Sequence, residues 1–293
     1  MVGPLRALAE ACLEDAGAVK ETIVSARGRE PEAGSPPGIA LYRLVGAACG
    51  ATGFSTGIAR IAPGAQMPYH SHPDGEAVTI VAGRARFIVE GRAYRLHAGD
   101  CIHLPAGVAH MVRNDRPASE LVAHWAFNSA VPSRASADRP LQGEERGDGG
   151  PSDSDPETIV RYDRLAVYEL AKNAFFLDLF SRRLGAEGIC GGHGRFLPGA
   201  SLPCHIHGFD ESITIVEGAA ECSVEGRRYE LGACDTAYIP KGIPHRFLNR
   251  SPEEMSMIWV YAADEPDRRI VNARYCSGEL AWPGAALAED QAP

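Results

Sequence analysis

The sequence lacks long apolar runs, an excess of positive charge and closely spaced cysteine pairs. No apolar stretch approaches the roughly 20 residues that a membrane-spanning helix needs, and acidic residues interrupt the N-terminal stretch where a signal peptide has its apolar core. The formal net charge of −9 leaves no basic surplus to neutralise phosphates. We therefore expect a cytoplasmic protein that binds neither membranes nor nucleic acid.

The cysteines give no sign of a disulfide framework. There are 8 in 293 residues, and none forms a C-x-x-C pair. A chain of this length can bury a sufficient apolar core without covalent crosslinks. We expect all of them to be reduced and mostly buried, including Cys204, which directly precedes a histidine.

The chain repeats itself at a fixed offset. "HSHPDGE" at 70–76 and "HIHGFDE" at 205–211 share two histidines and a glutamate, each 135 residues after its counterpart. "VEGRAYRL" recurs in the same way as "VEGRRYEL", and "PAGVAH" recurs as "PKGIPH". A repeat of this extent indicates a duplicated domain.

The segments around the two copies define the domain organisation. The copies occupy residues 38–130 and 158–264. Residues 131–157 are rich in Pro, Gly, Ser and acidic residues, which predicts a flexible linker. Residues 1–37 contain apolar residues at helical spacing and predict a short helical extension. Residues 265–293 form a tail that packs either on a barrel or on a partner subunit.

Each copy contains many short runs rich in Val, Ile, Phe and Tyr. Turns with Gly, Pro, Asp or Asn separate them. Runs of this length with hairpin turns predict antiparallel strands closed into a sandwich or barrel. The fold class is therefore all-β, with little helix.

A possible metal-ligand set occurs in the first copy. Side chains two apart on a strand point to the same face, so His70 and His72 can both face the interior. Glu76 begins the next strand, and a later hairpin returns His110 to the same interior. The second copy has the same set: His205, His207, Glu211 and His245.

Three imidazoles and one carboxylate suit a first-row divalent ion. If the ion is six-coordinate, about two positions stay open, as in catalytic rather than structural sites. Of the 10 histidines, the six at the 135 offset are the proposed ligands. His97, His103, His124 and His193 do not recur. Retention of only the ligand histidines predicts a metal in at least one copy.

Two longer motifs surround these ligands, and they resemble those of the cupin family. The first, G-x5-H-x-H-x3-E-x6-G, occurs as Gly64, His70, His72, Glu76 and Gly83, and again as Gly199, His205, His207, Glu211 and Gly218. The second, G-x5-P-x-G-x2-H-x3-N, occurs as Gly99, Pro105, Gly107, His110 and Asn114, and again as Cys234, Pro240, Gly242, His245 and Asn249. Cys234 departs from the pattern at a turn glycine and not at a ligand.

The resemblance to a bicupin implies two tandem double-stranded β-helix barrels of jelly-roll-like shape. It also implies one divalent transition metal inside each barrel and assembly into a homodimer or a larger homo-oligomer. Fe(II) or Mn(II) is favoured, with Ni, Cu and Zn as alternatives. Glu76 and Glu211 would serve as catalytic proton shuttles if they leave the metal during turnover.

The fold alone does not name a reaction, because cupins carry many activities. Oxalate decarboxylases usually have aromatic residues around the motif, as in H-W-H, whereas Ser71 and Ile206 occupy that position here. A net positive site favours a small oxygen-rich or anionic substrate. We favour a non-haem metal dioxygenase. A metal-dependent isomerase, decarboxylase or hydrolase is the alternative, and a non-catalytic binder or sensor is the alternative from another class.

Four further residues are candidate substrate contacts. Arg60 and Arg195 recur at the 135 offset and could bind a substrate carboxylate, although an ion pair on the outer face of a strand is the competing interpretation. His103 and His193 occur in one copy each and could distinguish the two sites, unless they are buried in the core.

Two aromatic pairs lie on the last strand of each copy. They are Trp125 with Phe127 and Trp259 with Tyr261. Large aromatic side chains at alternate positions of a strand are typical of a core, so we expect them to be core residues rather than pocket walls.

Overall fold

The computed structural model describes residues 20–138 and 143–284, which fold into two β-barrels. One strand, β1 (Thr22–Ser25), precedes the first barrel. The first half then contains β2 (Ile39–Val45), β3 (Ser55–Ile61), β4 (His70–Ser71), β5 (Glu76–Ala82), β6 (Arg84–Val89), β7 (Arg92–His97), β8 (Cys101–Leu104), β9 (His110–Asn114), β10 (Leu121–Phe127), β11 (Ala135–Ser136) and β12 (Glu145–Gly147).

The second half repeats this order of strands. It contains β13 (Thr158–Val160), β14 (Tyr168–Ala171), β15 (Ala174–Phe180), β16 (Cys190–Phe196), β17 (His205–Ile206), β18 (Glu211–Glu217), β19 (Ala219–Val224), β20 (Arg227–Gly232), β21 (Asp235–Ile239), β22 (His245–Leu248), β23 (Met255–Tyr261), β24 (Arg269–Ile270) and the short helix α1 (Ala273–Ser277). Three 3₁₀ turns span Ala47–Cys49, Tyr162–Arg164 and Arg182–Leu184. Within the described ranges, every helix is too short or too polar to reach across a lipid bilayer.

Each barrel consists of two sheets packed face to face. In the first barrel, the sheet β13-β8-β5-β10-β3-β2 covers the sheet β11-β4-β9-β6-β7-β12. Strand alternation places Ala85, Phe87 and Val89 of β6 in the core between the sheets. The second barrel has the sheets β1-β21-β18-β23-β16-β15-β14 and β20-β19-β22-β17-β24. The prediction of two tandem all-β barrels is confirmed.

The strand that precedes each barrel pairs with the other barrel. β1 joins β21, with Thr22 opposite Tyr238, and β13 joins β8, with Thr158 opposite His103. Both additions cover a sheet edge that would otherwise be open. Of residues 1–37, for which a short helical extension is predicted, the described residues 20–37 contain β1, whose backbone is satisfied by this pairing, and no helix. Residues 1–19 lie outside the described residues.

The two barrels share a continuous interface. Phe54 and Ala126 of the first half pack in one apolar cluster with Phe180 and Tyr238 of the second. Among them lie buried hydroxyl pairs, such as Thr214 with Thr236 at 2.8 Å and Thr56 with Ser212 at 2.9 Å. Apolar packing and satisfied polar groups together make the halves one packed unit.

The described parts of the linker, 131–138 and 143–157, pack along the first barrel instead of crossing solvent freely. β11 pairs with β4, and β12 pairs with β7 in parallel. Glu157, whose side chain is 0% exposed, accepts hydrogen bonds from Arg92 at 2.7 Å and Tyr94 at 2.6 Å. A buried carboxylate needs such partners, so this end of the linker is anchored.

The described part of the tail packs on the second barrel of its own chain. β24 pairs with β17, and α1 carries Cys276, which forms a disulfide with Cys204. The prediction that all cysteines are reduced is wrong for this pair, because the tail returns Cys276 to β17 across 72 residues of sequence. Assembly into dimers or larger oligomers stays a prediction.

Of the histidines outside the proposed ligand sets, His103 and His124 are buried and His193 is half-buried. His124 lies at the interface between the barrels, where its Nε2 is 3.3 Å from the Thr214 hydroxyl. Burial lowers the pKa of His124 to about 3 and the pKa values of His103 and His193 to about 4. The folded protein therefore holds these imidazoles neutral at pH values where the unfolded chain would protonate them.

Replacement of His124 should reduce the sensitivity of the fold to acid. Between pH 6.5 and about 3, the unfolded chain binds a proton at this position that the folded protein does not. Stability is therefore lost as pH falls below 6.5, at up to about 1.4 kcal/mol per pH unit for one histidine. Urea unfolding at pH 7.5 and pH 5.5 should show a smaller loss for His124→Gln than for the wild type.

His97→Gln is the matched control, because His97 is exposed and pairs with Asp148 on the surface. It should retain the wild-type pH dependence. An unchanged pH dependence in His124→Gln would contradict the role of this buried imidazole.

Candidate metal centres and pocket

The first barrel brings the four predicted ligands together. His70 on β4 lies opposite His110 at the start of β9, and Glu76 begins β5. His72 follows β4 on the same face as His70. One potential ligand atom from each residue lies within 4.8 Å of the others, and all four side chains are largely buried. The cluster has the residue types and the spacing of a metal site.

Backbone carbonyls orient all three imidazoles of this cluster. Because a carbonyl oxygen only accepts, each Nδ1 donates its hydrogen, and the neutral ring presents the Nε2 lone pair. The three hydrogen bonds run from His70 to Pro68 (2.6 Å), from His72 to Ser133 (2.6 Å) and from His110 to Val108 (3.0 Å). The barrel thus fixes the tautomer that a metal ligand requires.

The second barrel repeats this geometry with its own ligands. His205, His207, Glu211 and His245 again place one atom each within 4.8 Å of the others. His205 donates to Pro203 at 2.8 Å, His245 donates to Ile243 at 2.9 Å, and His207 donates to the carbonyl of Asp267. Both predicted ligand sets are therefore assembled by the fold.

Both glutamates of the clusters are ionised, as metal binding requires. Burial alone would raise the pKa of Glu76, but the close approach of His110 outweighs burial and brings the pKa to about 2. Burial, followed by the charge of His110, lowers the pKa of His70 to about 3. The pKa of Glu211 is also about 2, and the Glu211 carboxylate raises the pKa of His245 against burial.

Several buried ligand atoms have no hydrogen-bond partner among the described residues. They are Nε2 of His72, His207 and His245 and Oε2 of Glu76 and Glu211. An unpaired buried polar atom costs about 1–3 kcal/mol, so such atoms are rare without a function. One divalent ion in each barrel would coordinate the unpaired atoms of its own cluster. In each cluster, the ionised glutamate and the lone pairs of neutral imidazoles would be the ligands.

A short segment after each barrel completes its ligand cluster. We call residues 132–136, "PSRAS", the first strap, and residues 266–270, "PDRRI", the second strap. Each strap gives the carbonyl that orients the second histidine of the H-x-H pair and then pairs with the strand carrying that motif. The straps do not align at the offset of 135 residues, because they are 134 residues apart, and the sequence pattern alone therefore did not reveal them. The loop after Asn249 is one residue shorter than the loop after Asn114.

A cavity of about 220 Å³ opens onto the first ligand cluster. Its wall includes Trp125 and Phe127, so the expectation that this pair serves only as core is wrong. Gly57 on the neighbouring β3 leaves room for the indole, because a Cβ there would lie 2.1 Å from Cζ2 of Trp125. The strap residue Arg134 and the loop residue Glu32 also line the cavity.

The surroundings of the second cluster differ. His207 stacks on Phe209 with ring centroids 5.2 Å apart. Tyr261, 4.6 Å from the same imidazole, is instead the counterpart of Phe127, which lies 4.7 Å from His72. Asp74 occupies the position of Phe209 in the first copy. The disulfide Cys204–Cys276 also begins directly beside His205, whereas the first copy has Tyr69 in place of Cys204.

The structure does not bring the four weaker candidates into the cavity. Arg60 pairs with Glu120 at 2.8 Å, and Arg195 lies 3.7 Å from Glu254, both on exposed faces. His103 is buried beside β13. His193 is half-buried, with its ring 5.4 Å from that of Tyr162. The competing interpretations, outer-face ion pairs and buried histidines, describe their positions.

Comparison with known proteins agrees with this architecture. The cupin domain family model matches residues 57–127 and 192–261. The chain is therefore a bicupin, with two tandem cupin domains. A curated relative, the dimethylsulfoniopropionate lyase DddQ of Ruegeria pomeroyi, is 32% identical over 111 residues, which cover 36% of this chain and 55% of the relative. The chain thus spans about half the length of that relative.

Oxalate decarboxylases are among the similar solved structures. A mutant of OxdC from Bacillus subtilis gives a TM-score of 0.71 at 15% identity over 88% of this chain and 81% of that chain. The formate complex of the Lactobacillus farciminis enzyme gives 0.69 at 16% identity over 88% and 90%. At these identities the likeness concerns the fold.

We predict two divalent ions per chain, one in each barrel. His70→Ala and His205→Ala should each retain about half of the bound metal, because each substitution removes a metal ligand from one cluster only. Elemental analysis of reconstituted protein measures this. His97→Ala, on the surface, should retain all of it. Loss of all metal from either ligand variant would contradict independent sites.

Loss of the disulfide should weaken metal binding in the second barrel alone. Cys276 tethers the tail that contains the second strap, and loss of a contact that orients a ligand typically costs about 10- to 100-fold in metal affinity. We expect Cys276→Ser in the His70→Ala background to bind Mn(II) several-fold more weakly, as measured by competition with a chelator.

The matched control is Cys276→Ser in the His205→Ala background, where only the first site remains. That site has no contact with the disulfide and should keep its affinity. Equal weakening of both sites would show a general loss of stability instead.

Proposed function

We propose that the first barrel is the active site of a metal-dependent lyase that acts on a small carboxylate. The observation that carries this proposal is the cavity of about 220 Å³, which ends at His70, His72, Glu76 and His110. A ligand in this cavity would reach the open positions of a bound ion. Cavities for drug-sized ligands measure about 300–1,000 Å³, so this one suits a smaller molecule.

The charge inside the cavity favours an anion. Apart from the ligand histidines, its charged lining residues are Glu32, Arg43, Glu76 and Arg134. Glu32 and Arg43 pair at 2.9 Å and offset each other. A divalent ion outweighs the single charge of Glu76, and Arg134 adds a further positive charge. The site is therefore positive, although the whole chain carries −9.

The known relatives support lyase chemistry over oxygenation. Both the 32% identical relative and the similar solved structures are named for reactions that break a bond in a small carboxylate. Decarboxylation and β-elimination both develop negative charge near a carboxylate. A bound divalent ion supplies Lewis acidity for that charge. Mn(II) is favoured here, since Mn(II) centres are described for the Bacillus subtilis oxalate decarboxylase.

Glu76 is the proposed catalytic carboxylate of this chain. Its Oε2 lies 3.1 Å from Nε2 of His110 and 3.5 Å from Nε2 of His72, at the buried end of the cavity. A carboxylate with two oxygens can bind the ion through one and accept a substrate proton through the other. Glu211 has the same position in the second cluster, where Phe209 and Tyr261 surround the neighbouring imidazole.

Turnover by the Mn(II)-loaded protein tests the proposal. Oxalate, malonate and dimethylsulfoniopropionate should be assayed for release of CO2 or acrylate, with O2 recorded in parallel. We expect one of these acids, or a close analogue, to be cleaved without stoichiometric O2 uptake. Glu76→Gln should lower kcat at least about 100-fold when rates are expressed per first-site metal, because it removes the proton acceptor.

Glu211→Gln is the matched control, since it makes the same change in the other barrel. It should retain most of the activity. Stoichiometric O2 consumption with an Fe(II)-loaded sample would favour the dioxygenase prediction instead. Tight binding of a carboxylate without turnover of any would favour a binder or sensor.

A further inference from the structure

We infer that Arg134, on the first strap, binds the carboxylate of the ligand in the first barrel and selects for acids. This inference rests on the proposed function for the site, but it concerns recognition and not the reaction. Arg134 lines the cavity together with the strap residues Pro132 and Ser133. It is the strap residue whose side chain can supply a planar, permanently charged donor group.

The backbone on both sides of Arg134 is fixed to the ligand cluster. The carbonyl of Ser133 accepts the hydrogen bond of His72 at 2.6 Å, and Ala135 pairs with Ser71 on β4. The Cα of Arg134 therefore has a defined position beside the H-x-H motif. A side chain mounted on such a strap needs less ordering on binding than one on a loose loop.

The guanidinium group of Arg134 retains most of its hydrogen-bonding capacity. Its one described hydrogen bond runs from Nη1 to the thioether of Met67 at 2.9 Å, and among described residues it forms no ion pair with a carboxylate. A guanidinium has five donors, and a thioether is a weak acceptor. Arg134 can therefore offer a carboxylate two parallel charge-assisted hydrogen bonds. Arg43, the other cavity arginine, is already paired with Glu32.

The same position recurs in the second barrel. Arg268 follows Asp267, whose carbonyl accepts from His207, as Arg134 follows Ser133, whose carbonyl accepts from His72. The sequence of the straps changes around these arginines, from "PSRAS" to "PDRRI", but the proline and this arginine are kept. Arg268 donates from Nη2 to Leu170 at 3.3 Å, and its Nη1 is buried without a hydrogen-bond partner among the described residues. Two copies of one arrangement indicate a role beyond surface solubility.

Binding of a carboxylate and of its neutral amide to the full-length Mn(II)-loaded protein tests this inference. Propionate and propionamide have nearly the same shape, so calorimetric titration with each isolates the contribution of charge. Arg134→Gln should weaken propionate binding about 10- to 100-fold, the range expected for hydrogen bonds to a charged group. Propionamide binding and metal content should be unchanged.

Two further variants sharpen the result. Arg134→Lys should give an intermediate loss, because lysine keeps the charge but not the bidentate geometry. Arg60→Gln is the matched control, since Arg60 is an arginine paired on an outer face. It should bind propionate like the wild type.

The inference would be overturned if Arg134→Gln bound propionate as tightly as the wild type. It would also be overturned if the substitution weakened the affinity for propionate and the affinity for propionamide by the same factor. Failure of the wild type to bind propionate at millimolar concentration would also overturn it. These outcomes are separate from those of the turnover assay. Arg134-dependent propionate binding without cleavage of any acid would refute the lyase proposal and leave the recognition role intact.

Discussion

The orientation of six buried imidazoles is the constraint on which both metal centres depend. Four of them are fixed locally, because His70, His110, His205 and His245 each donate to the carbonyl two residues before them. The second histidine of each H-x-H pair has no such local acceptor. His72 and His207 depend on straps that lie about 60 residues further along the chain. Everything that anchors the straps, including strand pairing and the disulfide, therefore contributes to the geometry of the metal site.

The two barrels keep the same ligands but differ in what surrounds them. The first ligand cluster faces a cavity with an aromatic wall and a charged strap. In the second, Phe209 packs on the second histidine where the first copy has Asp74, and the disulfide ties the tail to the residue before His205. Identical ligands favour the same metal chemistry in both barrels, whereas packing and crosslinks determine whether a small molecule can reach the metal cluster. The duplication thus allows one copy to turn over substrate while the other changes its role.

The ligand sets and the barrel fold could be predicted from the sequence because both follow from short-range patterns. Alternation along a strand places His70 and His72 on one face, and the offset of 135 identifies the second set. Contacts between distant segments were not predictable in this way. The pairing of β1 with β21 and the bond between Cys204 and Cys276 depend on where the chain returns after each barrel. The proline and arginine of the two straps do recur in the sequence, but at an offset of 134 and not 135.

Substrate recognition and metal binding are coupled if both act through the first strap. Arg134 and the carbonyl that orients His72 belong to adjacent residues, so a carboxylate held by Arg134 also restrains that carbonyl. Any such coupling is reciprocal: whatever factor an acid adds to metal affinity, the metal adds to the affinity for the acid. Neither Arg60 nor Arg195 could act in this way, because each is engaged with an outer carboxylate. The position of the arginine on the strap, rather than the number of nearby charges, therefore determines which arginine can bind substrate at the site.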